Sequence, residues 1–546
     1  MNLLIPACHL LSRVSDSGRI FGAPRRTRLA PPKRGRRVSI AHCSRRLLHS
    51  LTVKSATLPD DGAASEPGRI PRRVIVAAAV LGLLTVALFA PTWQDQMLGW
   101  DDDENVLHNP LVVMSPAAGL KQIFTAPFST DYYPLTYISL AIDHAVWRGQ
   151  FFGYHVTQTL LHGANVFLAV LLVWRWTETL GVALLAGAWF GWHPVQVETV
   201  AWIAERKCVL GTFFFLLAWL AYLKAVDSKR GTRWRLAALG LFLLAALTHA
   251  LVIVMPGLLI AYELCLRRTR FTEALRRTWL FFVPTAFAAI LRALGHAQSG
   301  QLVRPFRSVS EGILTMIKVV GLYLKTLFWP TQLSNHYTVT TANSLANTGV
   351  LMALLLFIVW AALLLWERPL RRWSAFALAW FLICLAPVLQ LVPHPTLRAD
   401  RYLYVAALGV FVLVALLLHK NRAALATVGS LSAICLVGLT LARIPDWKDP
   451  KTLWTDCVKK NPRSAIGYYS LAGCAIGEKD WHTADAQLRM CINLKPEFAE
   501  AQARLGAVCL LEGKTADARE HLKRALALNP RLAEAQHNLA ILQQRP

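Results

Sequence analysis

Ten cysteines occur in this sequence but no C-x-x-C pair, and no histidines stand at metal-ligand spacing, so no metal centre is expected. Cys208, Cys265, Cys384 and Cys435 fall in or beside apolar runs and read as small core residues. Cys457, Cys474, Cys491 and Cys509 fall in a polar C-terminal region, where packing is the simpler role for Cys491 than a disulfide. Acids are scarce as well: 32 Asp and Glu stand against 58 Lys and Arg, a net charge of +26. Such an excess invites a nucleic-acid partner, but its distribution argues against one. Residues 1–73 hold fifteen Lys/Arg and four acids, and the other basic clusters flank apolar runs, the positive-inside pattern of membrane proteins. A signal-peptide core is missing from residues 1–70, which are Arg-, Pro- and Ser-rich without apolar periodicity and are expected to be disordered. A cytoplasmic tail, a targeting extension and a wrongly assigned start all fit that composition.

What is present is apolar. With 55% hydrophobic residues, 19 Trp and a mean hydropathy of +0.40, the chain reads as a polytopic membrane protein. A first span at residues 74–91 follows Arg72-Arg73 and precedes Gly99-Trp100-Asp101-Asp102-Asp103-Glu104-Asn105. That order puts the N-terminus inside and the acidic cluster outside, where carboxylates beside a membrane are candidate functional groups. Further crossings are expected at 154–174, 180–192, 209–225, 279–294, 349–366, 373–392, 402–418 and 423–441. Residues 236–266 are too long for one crossing of a core ~30 Å thick and read as two short ones meeting outside near Thr248-His249. Residues 313–329, with Lys318 and Lys325, read as an outer amphipathic or re-entrant helix. The sum is about 11 crossings. Being odd, it puts the acidic loop and the C-terminus on one outer face.

After the last span the composition turns polar and Ala-rich. Asn461-Pro462, Lys495-Pro496 and Asn529-Pro530 recur at a spacing of 34, the period of tetratricopeptide repeats. Leu505-Gly506 opens the tight contact of the best-matching unit, Ala518 and Ala525 supply its small residues, and Pro530 ends it. The expected architecture is all-α: residues 1–70 a basic tail, 71–442 a membrane helix bundle, 443–546 a short α-solenoid. Repeats of this kind are structural scaffolds first and concave peptide-binding surfaces second.

Taken together, residues 93–544 resemble the transmembrane and tetratricopeptide repeat O-mannosyltransferases and their bacterial relatives. The resemblance rests on Trp100-Asp101-Asp102 with Asn109-Pro110, Tyr133-Pro134-Leu135-Thr136 with Asp143, and Gly153-Tyr154-His155 with Leu160-Leu161-His162. It continues through His193-Pro194, Glu198, Ala201-Trp202-Ile203, Arg206-Lys207, Asp400-Arg401-Tyr402-Leu403-Tyr404 and Asp446-Trp447. It implies a GT-C-like fold, a polyprenyl-phosphate sugar as donor, no bound cofactor, and a catalytic first-loop pair, here Asp101 and Asp102. One turn departs from the pattern: relatives carry Ser-Lys-Glu where this chain has Thr248-His249-Ala250, and Cys208 replaces an acid.

The chemistry asks for the same residue types. Transfer from a lipid phosphate to a hydroxyl needs a carboxylate base and cations for the departing phosphate. Asp101 and Asp102 are the candidate base; Arg206, Lys207, Arg401 and His249, with His193 and Glu198, are the candidate lipid-phosphate and substrate groups. Plainer roles stand beside these: a topology signal for the acids, snorkelling for Arg206-Lys207, an Asp400 or headgroup partner for Arg401, and core positions for the histidines. The expected function is sugar transfer onto Ser/Thr hydroxyls of proteins on the extracytoplasmic face, the repeats presenting the acceptor. The expected setting is a bacterial inner membrane, with the endoplasmic reticulum as the alternative. Competing readings are a non-catalytic envelope scaffold and a lipid-linked glycan transporter or ligase. The expected partners are lipid, the donor and a protein acceptor, with no nucleic acid.

Overall fold

The first apolar run folds as helix α1 (Arg72–Phe89), which begins after the extended Pro71 and ends in a tight turn over Ala90–Gln94. The structure, a computed structural model, describes residues 70–113, 119, 122–124, 133–229, 231–299, 306–390 and 396–544. The expectation for the N-terminal tail falls outside those residues, as do Asp131 and Tyr132. Among the described residues every regular element is helical. The chain is an all-α membrane helix bundle followed by helical repeats.

Among the described residues, eight helices are long and apolar enough to cross a membrane. They contain α1, then α3 (Phe151–Thr177), α5 (Arg206–Asp227), the first part of α9 (Phe282–Ser299), α11 (Thr348–Trp366), α12 (Arg371–Leu385), α13 (Leu403–His419) and α14 (Arg422–Arg443). Between α1 and α3 lies α2 (Pro134–Trp147). Apolar α4 (Leu180–Trp192) spans only ~20 Å at 1.5 Å per residue and sits in the core, where Gly187 and Gly191 admit Val170 and Thr85. Helices α3, α5 and α13 are the buried ones, while α1, α11 and α14 turn rows of Val, Leu and Ile outward. Such rows suit lipid, which satisfies no backbone polar group but accepts any apolar side chain. Helix α1 meets α3 through two glycines: a Cβ on Gly82 would lie 2.7 Å from the Gly163 carbonyl oxygen. Small residues let helices approach closely where no water drives them together.

The long apolar stretch at 236–266 breaks where the sequence suggested. Helix α6 (Gly231–Ala246) stops short of Thr248, His249 is extended, and a tight turn over Ala250–Val254 leads into α7 (Met255–Cys265). After the short α8 (Phe271–Thr278) and α9, the amphipathic α10 (Val309–Phe328) is not among the eight candidate spans; its Lys318 donates to the Thr340 carbonyl at 2.8 Å.

The repeats comprise α15 (Pro450–Lys460), α16 (Ala465–Gly477), α17 (Trp481–Leu494), α18 (Ala499–Leu511), α19 (Thr515–Leu528) and α20 (Ala533–Gln544). Side chains of Asp449, Ser464 and Asp480 cap α15, α16 and α17. Ala472, Ala484, Leu488, Cys491, Leu505 and Leu522 form their own apolar core. A Cβ on Gly506 would come within 2.7 Å of Leu522, so the glycine permits the helix contact expected of it. The eight described cysteines are free thiols, and Cys491 is fully buried.

Two loops of the bundle grip the start of the repeats. The Gln96 amide donates to the Lys448 carbonyl at 2.8 Å, and Lys460 donates to the Leu333 carbonyl at 2.9 Å. Asn461 donates to Ser334, and Ser464 pairs with His336 at 2.9 Å. At the end of α14, Arg443 pairs with Asp446 and Asp456.

Candidate functional site

The acidic loop follows a sharp reversal. Gly99 and Trp100 both adopt the left-handed backbone region (φ 63° and 56°), easy for glycine and costly for tryptophan. The turn closes by the Asp102 amide donating to the Gly99 carbonyl at 3.0 Å. Asp102 is fully buried, and its two carboxylate oxygens accept the Leu98 amide at 3.0 Å and the Ala204 amide at 2.8 Å. Asp102 therefore latches the loop onto the turn that precedes Arg206. Burial pushes its pKa up to about 7; the two amides oppose that rise, and Asp101 and Asp103 add to it. Asp101 is half-exposed, and Asp103 and Glu104 are exposed. Of the paired acids, one is a latch and the other faces outward.

Around Ala204 the chain is nearly all buried. His193 caps the tight turn at Pro194–Gln196: its Nδ1 accepts the Val195 amide and its Nε2 donates to the Leu327 carbonyl, both at 3.2 Å. Burial lowers its pKa to about 4, so it is neutral and holds backbone. His193 is a capping residue with no ring nitrogen left for a ligand. Glu198, on the short helix Val197–Ala201, accepts Arg401 at 2.5 Å and the Asp400 amide at 3.0 Å. Burial raises the Glu198 carboxyl and the Arg401 guanidinium draws it back down. Glu205 lies 3.4 Å from Arg401 and 3.7 Å from Lys207.

Arg206 is fully enclosed. It pairs with Asp143 at 2.7 Å and donates to Gln158, Ser139 and the Tyr154 carbonyl at 2.6, 3.0 and 2.9 Å. A guanidinium so committed ties α2, α3 and α5 together. Lys207 instead lies over the Tyr133 ring at 5.6 Å, and Tyr133 lies 6.3 Å from the His249 ring. His249 and Arg401 share the lining of one small cavity with Cys208, Tyr402 and Tyr404. Its volume of about 10 Å³ suits at most one water, which needs ~10–15 Å³. The structure thus gathers Asp101, Asp102, Glu198, Lys207, His249 and Arg401 around the 198–207 turn, buries Arg206 beneath it, and commits both ring nitrogens of His193 to backbone.

Three contributors, Glu205, Gln158 and Trp454, carry no role in the sequence analysis, and Trp202 stands there only as part of a motif. Glu205, Gln158 and Trp202 hold the cations and the loop. Trp454, on α15, touches Trp100. The adjacency of Glu205 to Arg206-Lys207 was the one signal visible in the sequence. A larger cavity, about 770 Å³, opens among α10, α11 and α12, lined by Phe306, Arg307, Met316, Phe357, Leu382 and Leu389 among others; none of the expected site residues line it.

Bundle, repeats and an acid-and-cation cluster on one buried turn define a multi-pass membrane protein with a polar cluster at the base of its repeats. No family profile matches the chain. It is similar to a protein O-mannosyl-transferase of Caenorhabditis elegans, 23% identical over 433 residues (73% of this chain, 60% of the relative). It is also similar to the protein O-mannosyl-transferase TMTC3 of Homo sapiens, 22% identical over 488 residues (78% and 52%), and of Mus musculus, 25% identical over 260 residues (45% and 26%). The chain spans 60% or less of the length of these relatives.

Proposed function

We propose that this protein is a glycosyltransferase acting on proteins. It transfers a mannose-like sugar from a polyprenyl-phosphate carrier to Ser/Thr hydroxyls on the extracytoplasmic face. The observation that carries the reading is the match to O-mannosyl-transferases over about three quarters of the chain, together with the acidic loop latched onto the cation-bearing turn. Asp101 takes the acceptor proton as its oxygen bonds to the sugar's anomeric carbon. The bond from that carbon to the phosphate breaks, and the lipid phosphate leaves with the electron pair. Asp102 holds Asp101 in place. Lys207 and Arg401, the latter loosened from Glu198, neutralise the leaving phosphate; His249 stands where relatives carry Lys. The apolar 770 Å³ cavity offers walls for part of the prenyl chain. The tetratricopeptide-like repeats present the acceptor, and a bacterial inner membrane or the endoplasmic reticulum would house the protein.

The test is transfer by purified protein in nanodiscs from synthetic polyprenyl-phosphate mannose to candidate acceptors, scored by intact mass. Asp101→Asn is expected to lose ~10²–10⁴-fold in rate. Full transfer by both Asp101→Asn and Asp102→Asn ends the base assignment. The narrow cavity at Arg401 and the Thr248-His249-Ala250 turn favour one second reading, a scaffold without catalysis. Absence of transfer by the wild type to any acceptor selects it.

A further inference from the structure

Trp100 is held in a backbone conformation that a tryptophan rarely adopts, one residue before the outward-facing Asp101. Its indole is not loose. It stacks on the buried Trp202 with centroids 4.6 Å apart at 14°, and the buried Trp454 meets it edge-on at 5.2 Å and 61°. Trp202 lies beneath Arg401, whose guanidinium is 5.4 Å from its ring, and beside Trp447 at 6.4 Å. One residue string thus runs from the cation Arg401 through Trp202 and Trp100 to the lead helix of the repeats. A second tie joins the same elements: the Gln96 amide donates to the Lys448 carbonyl just before α15. Strained backbone persists only where the surroundings over-determine it. Trp202 comes from the membrane bundle, and Trp454 from the repeats. The repeats therefore supply one jaw of the clamp.

We infer that Trp454 is a positioning residue for the acidic site: the lead repeat helix clamps Trp100 on Trp202 and thereby fixes the turn that aims Asp101. The role of Asp101 rests on the proposed function; the clamp does not. The membrane domain alone would keep the Asp102 latch but lose the jaw that pins Trp100.

Hydrogen exchange on the full chain in nanodiscs tests the clamp without any sugar transfer. Trp454→Ala is expected to speed exchange at residues 100–107 tenfold or more, with Trp454→Phe close to wild type. Trp100→Gly suits the left-handed backbone but removes the ring, so it separates strain from stacking; it too is expected to loosen residues 100–107. Leu522→Ala, in the distal repeat core, is expected to loosen the distal repeats only. Wild-type protection of the acidic loop in Trp454→Ala or Trp100→Gly overturns the inference. So does equal loosening by Leu522→Ala, which would mean general unfolding. Where transfer is measurable, Trp454→Ala is expected to lower kcat with the donor KM unchanged. A protein inactive from the start would still report on the clamp by exchange, so the two failures are distinguishable.

Discussion

A guanidinium with four partners behaves differently from one with none. In the sequence, Arg206 beside Lys207 looks like an outer-loop cation waiting for a phosphate. Asp143, its ion-pair partner, is 63 residues earlier, and nothing local announces it. Removing one member of a buried pair strands the other. Arg206→Ala is therefore expected to cost about 3–5 kcal/mol, read as a loss of denaturation midpoint in detergent. Arg206→Lys is not expected to restore it, because one ammonium cannot reproduce the planar fork that meets Asp143, Gln158, Ser139 and the Tyr154 carbonyl. The acidic pair was legible as a candidate site, since four acids after a first span stand out. Its division of labour was not. The amides that enclose Asp102 come from Leu98 and from Ala204, and a backbone amide leaves no mark in a sequence.

At the scale of elements, apolar runs announced their helices, and the excessive length of 236–266 announced a break. The tight turns over Pro194–Gln196 and Ile203–Glu205, which shape the site, were not legible, because their buried side chains resemble any helix core. The junction of α1 with α15 adds a pH effect. Asp95 follows the turn after α1 and is buried near the α15 cap Asp449. Burial and then Asp449 raise its pKa to about 7, with Lys448 opposing. An acid whose folded pKa is raised binds its proton more tightly in the fold than in the unfolded chain, where it titrates near 3.8. Its contribution to stability is fully present below about pH 4 and is lost as the pH climbs through about 7. Asp95→Asn is expected to flatten that dependence and to raise the melting midpoint at pH 8 relative to wild type, with little change at pH 4.

For the whole molecule, the order of bundle and repeats was written in hydropathy and in the 34-residue period. Their mutual grip was not, because hydrogen bonds such as Lys460 to the Leu333 carbonyl join residues 127 apart. The odd crossing count expected from the hydropathy pattern predicts that the repeats face outward with the acidic loop. A cysteine at the exposed Glu497, in a Cys435→Ser background, is expected to react with an impermeant maleimide supplied to the extracytoplasmic face; labelling from the cytoplasmic face would reverse the parity.

The two-loop grip on α15 has a metric consequence. A solenoid joined by one flexible linker would sweep a volume, and any hydroxyl on a bound polypeptide could wander past the acids. Anchored at Lys448, Lys460, Asn461 and Ser464, this one holds its start fixed against the loop that bears Asp101. Under the proposed function, such an attachment would work as a ruler. Hydroxyls reached by Asp101 would lie at a set number of residues from whatever segment the repeats hold, and the offset would lengthen or shorten with repeats added or removed beyond α15.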